Sequence, residues 1–166
     1  RYPEHHFVKV GHISNCQVCN SDKLRIVLDL GHQPLCDTLL TDATLNEPEK
    51  TYPLRMMWCE DCTAVQLDYC VDGREVFYPA YPYRSGITKE LVVYQGVIAH
   101  SLIARYGLQA GDLVIDVGSG DGGLLSGFGG TGIKTLGVEP TNIAQIARAN
   151  GIETVQAFFD IKTSHE

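Results

Sequence analysis

The sequence lacks a surplus of basic residues. Its 13 lysines and arginines face 20 aspartates and glutamates, which gives a formal net charge of −7 at pH 7. Proteins that bind nucleic acids need clustered lysine and arginine side chains at the phosphates, so this balance argues against a nucleic acid partner. Long apolar runs are also missing, and none approaches the roughly 20 residues that a helix needs to cross a bilayer.

No basic, apolar and small-residue segment opens the sequence, so nothing in it indicates secretion. We therefore expect a cytoplasmic protein that contacts neither membranes nor nucleic acid. Apolar residues make up 44% and charged residues 20% of the 166 residues, which is ordinary for one globular domain or two small ones. The chain starts with Arg1 instead of Met and stops soon after a third predicted strand, so we expect the N-terminal part of a longer protein.

The most informative pattern is an apolar, β-branched strand at residues 113–117, followed by a glycine-rich turn and a helix that resumes at Leu124. The glycines at Gly118, Gly120 and Gly122 can adopt positive φ and carry no Cβ, so a cofactor can lie against bare backbone. This order predicts the first βα unit of a Rossmann-like α/β sheet.

Two acidic residues belong to the same unit. Asp116 lies at the carboxyl end of the first strand, where open α/β sheets bind their ligands. Glu139 ends the next predicted strand, residues 134–139, and its carboxylate could accept hydrogen bonds from both hydroxyls of a ribose. A helix at 142–150 and a third strand at 152–157 complete the predicted sheet domain, which we assign to residues 109–166.

The glycine pattern fits two cofactors. Gly118-x-Gly120-x-x-Gly123 satisfies the dinucleotide fingerprint, with Glu139 close to the expected acidic position. Asp116 instead completes an Asp-x-Gly-x-Gly-x-Gly pattern that resembles the S-adenosylmethionine site of class I methyltransferases, and we favour this interpretation. A tight turn that binds no cofactor is the third alternative.

Four of the six cysteines form two Cys-x-x-Cys pairs, Cys16 with Cys19 and Cys59 with Cys62. Each pair can bring two sulfurs to one ion, and two pairs complete a tetrahedron of thiolates, which predicts a structural Zn²⁺ site. Such a site is closed and would not activate water. Disulfide bonds and an Fe–S cluster are the alternatives.

The region around these pairs, residues 1–75, is predicted to be a small zinc-binding module. Its alternation of apolar and polar residues predicts three strands, at residues 24–30, 52–58 and 65–69. Residues 31–36 are predicted to form a turn. Cys36 and Cys70 stand outside the two pairs, and we expect both to be small buried residues.

A tyrosine-rich segment and a helix, together residues 76–108, are predicted to link the module to the sheet. Prolines keep the segment extended, so Tyr81 and Tyr83 could line a substrate pocket and share acid–base work. The alternative is that these rings only pack. The helix is predicted at residues 90–106, and one apolar face of it carries Leu91, Tyr94, Val97, Ile98, Leu102 and Ile103.

The order of these motifs resembles the zinc-module class of S-adenosylmethionine-dependent C-methyltransferases, known from 3-C-methylation of nucleotide-linked 4-keto deoxysugars. The motifs are Cys-x-x-Cys, Gly-His-Gln-Pro-Leu, Cys-x-x-Cys, Tyr-x-Tyr-x-Ser-Gly, Asp-Val-Gly-Ser-Gly-Asp-Gly and Gly-Val-Glu-Pro. The likeness covers nearly all of residues 14–157. One departure is Gly120, where the family often has asparagine.

The resemblance implies that the four paired cysteines are zinc ligands and that the glycine loop holds S-adenosylmethionine. We assign the cofactor contacts to Asp116, Gly118, Ser119, Gly120, Asp121, Gly122, Glu139 and Pro140. The implied reaction removes the C3 proton beside the 4-keto group, and the enolate then takes the methyl group.

Tyr81 or Tyr83 is the candidate for contact with the substrate, which would be a nucleotide-linked sugar or another small molecule. Because family members continue well beyond the length of this chain, we expect it to be inactive alone. The alternatives are a fragment of an NAD(P)-binding oxidoreductase and a zinc-stabilised interaction module without a cofactor.

Overall fold

The computed structural model describes residues 10–165, so the first nine residues of the predicted zinc-binding module and Glu166 lie outside the described residues. The chain divides into two compact units, residues 1–76 and residues 77–166. This boundary falls one residue after the predicted end of the zinc-binding module. Almost all of the predicted linking segment belongs to the second unit.

The first unit contains two small antiparallel sheets. Strand β1 (Gly11–His12) pairs with β5 (Tyr69–Cys70), and the larger sheet has the strand order β2-β3-β4. The three strands of the larger sheet are β2 (Leu24–Pro34), β3 (Thr51–Cys59) and β4 (Val65–Leu67). A four-residue helix, α1 (Gly73–Val76), ends the unit.

Two strand predictions in this unit need correction. Strand β2 continues through the predicted turn at residues 31–36 as far as Pro34, because an irregularity between Asp29 and His32 absorbs Gly31 at a φ of +69°. The predicted strand at residues 65–69 breaks at Asp68. The buried carboxylate of that residue forms an ion pair with Arg55 (Oδ2 to Nη2, 2.6 Å), and the chain then pairs with β1 instead.

The two unpaired cysteines also differ from expectation. Cys36 is exposed in the loop after β2, where most side chains face solvent, and Cys70 is half-buried at the end of β5. The expectation of two buried residues is therefore wrong for Cys36.

The second unit is built on a parallel sheet with the strand order β6-β7-β8, which confirms the predicted start of a Rossmann-like fold. Its strands are β6 (Leu113–Val117), β7 (Lys134–Val138) and β8 (Thr154–Val155). Its helices are α2 (Lys89–Tyr106), α3 (Gly123–Ser126) and α4 (Ile143–Ala149), with 3-10 turns at Ser85–Ile87 and Thr163–His165. Within residues 10–165, no helix combines the length and apolar character that a membrane crossing requires.

The core of the second unit lies on one face of this sheet. Val114, in the centre of β6, packs against two buried clusters, one formed with α2 and the other with α3 and α4. Successive side chains of a strand point to opposite faces, so Asp116 lies on the same side as Val114. The side chains that alternate with them, Leu113, Ile115 and Val117, are exposed.

Helix α2 matches the predicted bounds within one residue, but its buried face is rotated. Tyr94 and Val97, which were expected on the buried face, are 60% and 56% exposed, whereas Ala99 is fully buried. The reason is a close approach, since a Cβ on Gly127 would lie 2.6 Å from the Cβ of Ala99. Only small residues fit at this crossing, so Ala99 faces Gly127, and the larger Leu102 and Ile103 pack into the cluster beside it.

This crossing predicts opposite effects for two glycine-to-alanine substitutions. Gly127 has an ordinary helical φ of −66°, so Gly127→Ala should destabilise the fold by about 1–3 kcal/mol through overpacking alone. Gly96, inside α2, has open space where its Cβ would stand, so Gly96→Ala should stabilise by up to about 1 kcal/mol. Urea unfolding followed by circular dichroism measures both, and equal effects of the same sign would contradict the described packing.

Candidate functional site

Four thiols meet in the first unit. The Sγ atoms of Cys16, Cys19, Cys59 and Cys62 all lie within 4.8 Å of one another. Two of the distances are 3.5 Å, between Cys16 and Cys62, and 3.6 Å, between Cys19 and Cys59. A tetrahedral zinc site with Zn–S bonds of about 2.3 Å has S···S edges of about 3.8 Å. The four sulfurs are therefore spaced as ligands of one ion and are too far apart for disulfide bonds.

The two cysteine pairs have the same loop geometry. In each pair, the carbonyl of the first cysteine accepts the N–H of the residue four positions later, Asn20 at 2.8 Å and Thr63 at 2.9 Å. Both of these residues adopt a left-handed φ, of +61° and +64°. This conformation is unfavourable for a β-branched threonine, so the fold holds Thr63 in a strained position beside the last cysteine.

Side-chain hydrogen bonds connect the two loops to each other and to the sheet. Gln66 of β4 accepts the N–H of Gln17 at 2.8 Å and donates to the carbonyl of Asn15 at 3.2 Å. Asp61, between the second pair of cysteines, accepts the hydroxyl of Ser21 at 2.7 Å. These bonds hold the two cysteine loops, and with them the four thiols, around a common point.

The electrostatics of the cluster favour a bound cation. The backbone N–H groups of Cys19 and Val18 lower the pKa of Cys16 to about 6. The backbone N–H of Ser21 lowers the pKa of Cys19, but the neighbouring thiols, Cys62 first, raise it to about 12. Thiolates this close repel one another, so full ionisation needs a positive ion between them, and the all-thiolate donor set fits Zn²⁺.

Zinc should hold the first unit together. The fully buried apolar residues described in that unit are only Cys16, Met57 and Cys59, so the cysteine cluster itself is most of the core. We expect one zinc ion per chain, and Cys59→Ser should abolish its binding and unfold residues 10–76. Cys36→Ser is the matched control, because Cys36 is exposed and lies outside the cluster.

Zinc content measured by atomic absorption, together with the dispersion of the amide NMR spectrum, checks this prediction. A Cys59→Ser chain that retained one zinc ion and a dispersed spectrum for the first unit would contradict it.

The second unit contains a cleft of about 680 Å³ at the carboxyl ends of β6 and β7, a volume typical of ligand sites. Both predicted substrate residues, Tyr81 and Tyr83, line it. Six of the eight predicted cofactor residues also line it, namely Asp116, Gly118, Ser119, Gly120, Glu139 and Pro140.

The glycine loop uses its backbone donors internally. The N–H groups of Gly118 and Ser119 both donate to the carbonyl of Val138, at 2.8 and 3.2 Å. The N–H of Gly120 donates to the Glu139 carboxylate at 3.1 Å. Gly118 and Gly120 have φ of +80° and +55°, and a Cβ on Gly118 would meet nothing within 4 Å, so the loop offers open backbone at residues whose N–H groups are already used.

Glu139 is almost fully buried and already accepts three hydrogen bonds. Its Oε1 receives the N–H and the hydroxyl of Thr141, at 2.9 and 2.7 Å, and its Oε2 receives the N–H of Gly120. A carboxylate has about four acceptor positions. In this arrangement Glu139 offers one acceptor to a ligand, so the predicted contact with two ribose hydroxyls requires the longer Gly120 bond to give way.

Asp116 is the second acidic residue that lines the cleft. Its carboxylate is half-buried and forms no hydrogen bond or ion pair within the part of the chain that the structure describes. Burial raises the pKa of Asp116 above its ordinary value. A desolvated carboxylate without a partner fits a cationic ligand group.

Asp121 and Gly122 do not line the cleft, unlike the other predicted cofactor residues. Asp121 accepts the hydroxyl of Ser85 at 3.1 Å and the N–H of Gly86 at 2.8 Å, which ties the tyrosine segment to the glycine loop. A Cβ on Gly122 would lie 2.8 Å from Cγ1 of Ile152. Both residues hold the loop in position instead of lining the cleft.

The cleft is also lined by residues that the sequence analysis did not single out, among them Arg84, Gln95, Phe158 and Phe159. Gln95 interrupts the apolar pattern of α2, and the two phenylalanines follow the carboxyl end of the third strand, where α/β sheets bind ligands. The polar residue within the apolar pattern of α2, and the position directly after the third strand, could have identified Gln95, Phe158 and Phe159 from the sequence.

The matches to known proteins agree with this geometry. A family model of a zinc binding domain, Methyltransf_13, matches residues 16–77, a range that contains all four clustered cysteines. The C-methyltransferase NovU of Streptomyces niveus is 30% identical over 155 residues, which cover 93% of this chain and 37% of NovU. The chain thus spans little more than a third of that relative. Together the matches support its membership of the zinc-binding C-methyltransferase family.

Substituting Asp116 should change the stability of the second unit in a direction that its proposed role in binding would not predict. Because burial raises the folded-state pKa of Asp116 above its unfolded value, ionisation at neutral pH opposes folding, and stability is regained as the pH falls through the raised pKa. Asp116→Asn should therefore make the second unit slightly more stable at pH 7, with the difference shrinking as the pH falls through the raised pKa of Asp116. Thermal unfolding followed on second-unit NMR resonances measures this. A variant that is less stable than the parent chain at pH 7 would contradict it.

Proposed function

We propose that this chain supplies the zinc-binding unit and the cofactor cleft of an S-adenosylmethionine-dependent C-methyltransferase. The proposed substrate is a nucleotide-linked 4-keto deoxysugar, methylated at C3 through an enolate. One observation supports this choice of cofactor. The backbone N–H groups of Gly118, Ser119 and Gly120 are bonded within the protein, and the carboxylate of Asp116 lines the cleft.

The loop argues against a dinucleotide. Pyrophosphate binding at such a turn depends on backbone N–H groups that point at the phosphate oxygens. Here the N–H groups of Gly118, Ser119 and Gly120 donate to Val138 and Glu139. A bound phosphate would therefore meet occupied donors and two carboxylates.

The charges of the cleft suit the proposed cofactor. Among its described lining residues, the charged side chains are the carboxylates Asp116 and Glu139 and the guanidinium of Arg84. S-adenosylmethionine carries a sulfonium, an ammonium and a carboxylate, so it presents two positive groups and one negative group. Asp116 would attract the positive groups, and Phe158 and Phe159 offer flat apolar surfaces to the adenine.

The reaction needs a carbon nucleophile close to the methyl group that the cofactor supplies. The 4-keto group acidifies the C3 proton, and its removal gives an enolate whose oxygen needs a hydrogen-bond donor. Tyr81 and Tyr83 line the same cleft as Asp116, so either hydroxyl could donate to the substrate oxygen. The ring of Tyr81 packs against Phe77 and Tyr78 at 5.6 and 5.9 Å, which restricts its position.

Zinc has a structural role in this proposal. Four thiolates complete a tetrahedron and leave no open coordination position for a substrate or a water molecule. The proton transfer and the positioning of the substrate therefore fall to side chains of the protein.

Calorimetric titration of the zinc-loaded chain with S-adenosylhomocysteine tests the cofactor. We expect saturable binding that Asp116→Asn weakens at least about tenfold, as for the loss of one charge-assisted contact. Asp112→Asn is the matched control, because Asp112 lies just before β6, accepts the N–H of Gln109 at 2.7 Å and does not line the cleft. NAD should not bind.

Two results would count against the proposal. Binding of NAD without binding of S-adenosylhomocysteine would favour the oxidoreductase alternative. Binding of S-adenosylhomocysteine that is equally strong in the Asp116→Asn and Asp112→Asn variants would remove Asp116 from the site.

A further inference from the structure

Gln95 contributes an unpaired polar atom to the cofactor cleft. Its side-chain oxygen is buried and has no hydrogen-bond partner within residues 10–165. The residue lines the same cleft as Asp116 and Gly118. Burying an amide oxygen without a partner opposes folding, and native structures satisfy nearly all such groups. Because Gln95 also lines the cleft, its unsatisfied oxygen indicates a ligand that completes the bond once the amide turns from Gly123 towards the cleft.

The amide is held against the glycine loop. A Cβ on Gly123 would lie 2.2 Å from the Gln95 side-chain oxygen, so the glycine makes room for this amide. One turn further along α2, the fully buried Ala99 packs into the core, which fixes the helix that carries Gln95. The backbone that carries Gln95 is thus fixed by packing, and its amide lies beside the glycine loop.

The location of α2 indicates which end of the ligand Gln95 meets. Leu102 and Ile103 of α2 pack in the same cluster as Val114 of β6. Asp116 is the last residue but one of that strand. Glu139 belongs to the end of β7, the next strand, where we place the ribose. Gln95 therefore lies on the Asp116 side of the cleft, where the positive groups of the ligand are attracted.

We propose that Gln95 hydrogen-bonds the amino-acid group of the cofactor, with its side-chain oxygen accepting from the ammonium. This inference rests on the proposed function. It makes Gln95 a specificity residue, because a 5′-thioadenosine compound without the amino-acid group would leave the amide unpaired. The aromatic and ribose contacts would be shared by both kinds of ligand.

Titration of the zinc-loaded chain with S-adenosylhomocysteine and with 5′-methylthioadenosine tests this selectivity. Gln95→Leu keeps a similar volume and removes the polar group, so affinity for S-adenosylhomocysteine should fall about tenfold while affinity for 5′-methylthioadenosine stays unchanged. Gln145→Leu, at an exposed position of α4 outside the cleft, is the matched control and should change neither. A cooperative thermal unfolding transition at or above the temperature of the parent chain establishes that each variant is folded.

The side-chain amide resonances of Gln95, identified by their absence from the spectrum of the Gln95→Leu chain, give a second measurement. They should move on addition of S-adenosylhomocysteine and stay in place on addition of 5′-methylthioadenosine. Equal loss of affinity for both ligands, or no loss for either, would overturn the inference while leaving the proposed cofactor intact. If the parent chain failed to bind S-adenosylhomocysteine, the proposed function would fall, and this inference with it.

Discussion

The cofactor cleft depends on one carbonyl group. Val138, the last residue of β7, accepts the N–H groups of both Gly118 and Ser119, and so continues the pairing of β6 and β7 into the glycine loop. The loop can follow this path because Gly118 adopts a positive φ that other residues rarely accept. As a consequence these two N–H groups point into the protein, and the polar group presented to the cleft by the end of β6 is the Asp116 carboxylate.

A second constraint shapes the first unit, which has little apolar core. Its longest strand, β2, exposes Ile26, Val27, Leu28 and Leu30, and its buried centre consists chiefly of the cysteine cluster. Small units of this kind commonly need a metal because hydrophobic burial alone does not offset their conformational entropy. The matching hydrogen bonds of the two cysteine loops preorganise the thiols, so the metal site and the fold of this unit stabilise each other.

Much of this arrangement was accessible from the sequence, because it is encoded locally. The spacing of the cysteine pairs and the strand, turn and helix around Gly118 depend on neighbouring residues, and both were predicted in their observed places. The features that escaped prediction depend on contacts between residues that are distant in the sequence. The inward face of α2 is set by contact with Gly127, the position of Asp121 by Ser85 and Gly86, and the occupied state of the second Glu139 oxygen by Gly120. No local pattern specifies such partners.

Amide hydrogen exchange of Gly118, Ser119 and Gly120 tests the central claim most directly, measured on the zinc-loaded chain alone, with S-adenosylhomocysteine and with NAD. If the loop donors are bonded to Val138 and Glu139, these amides exchange slowly in the free chain. S-adenosylhomocysteine should slow Gly118 and Ser119 further by stabilising the cleft, and NAD should have no effect. Rapid exchange in the free chain, with protection by NAD alone, would contradict the account and identify the loop as a pyrophosphate site.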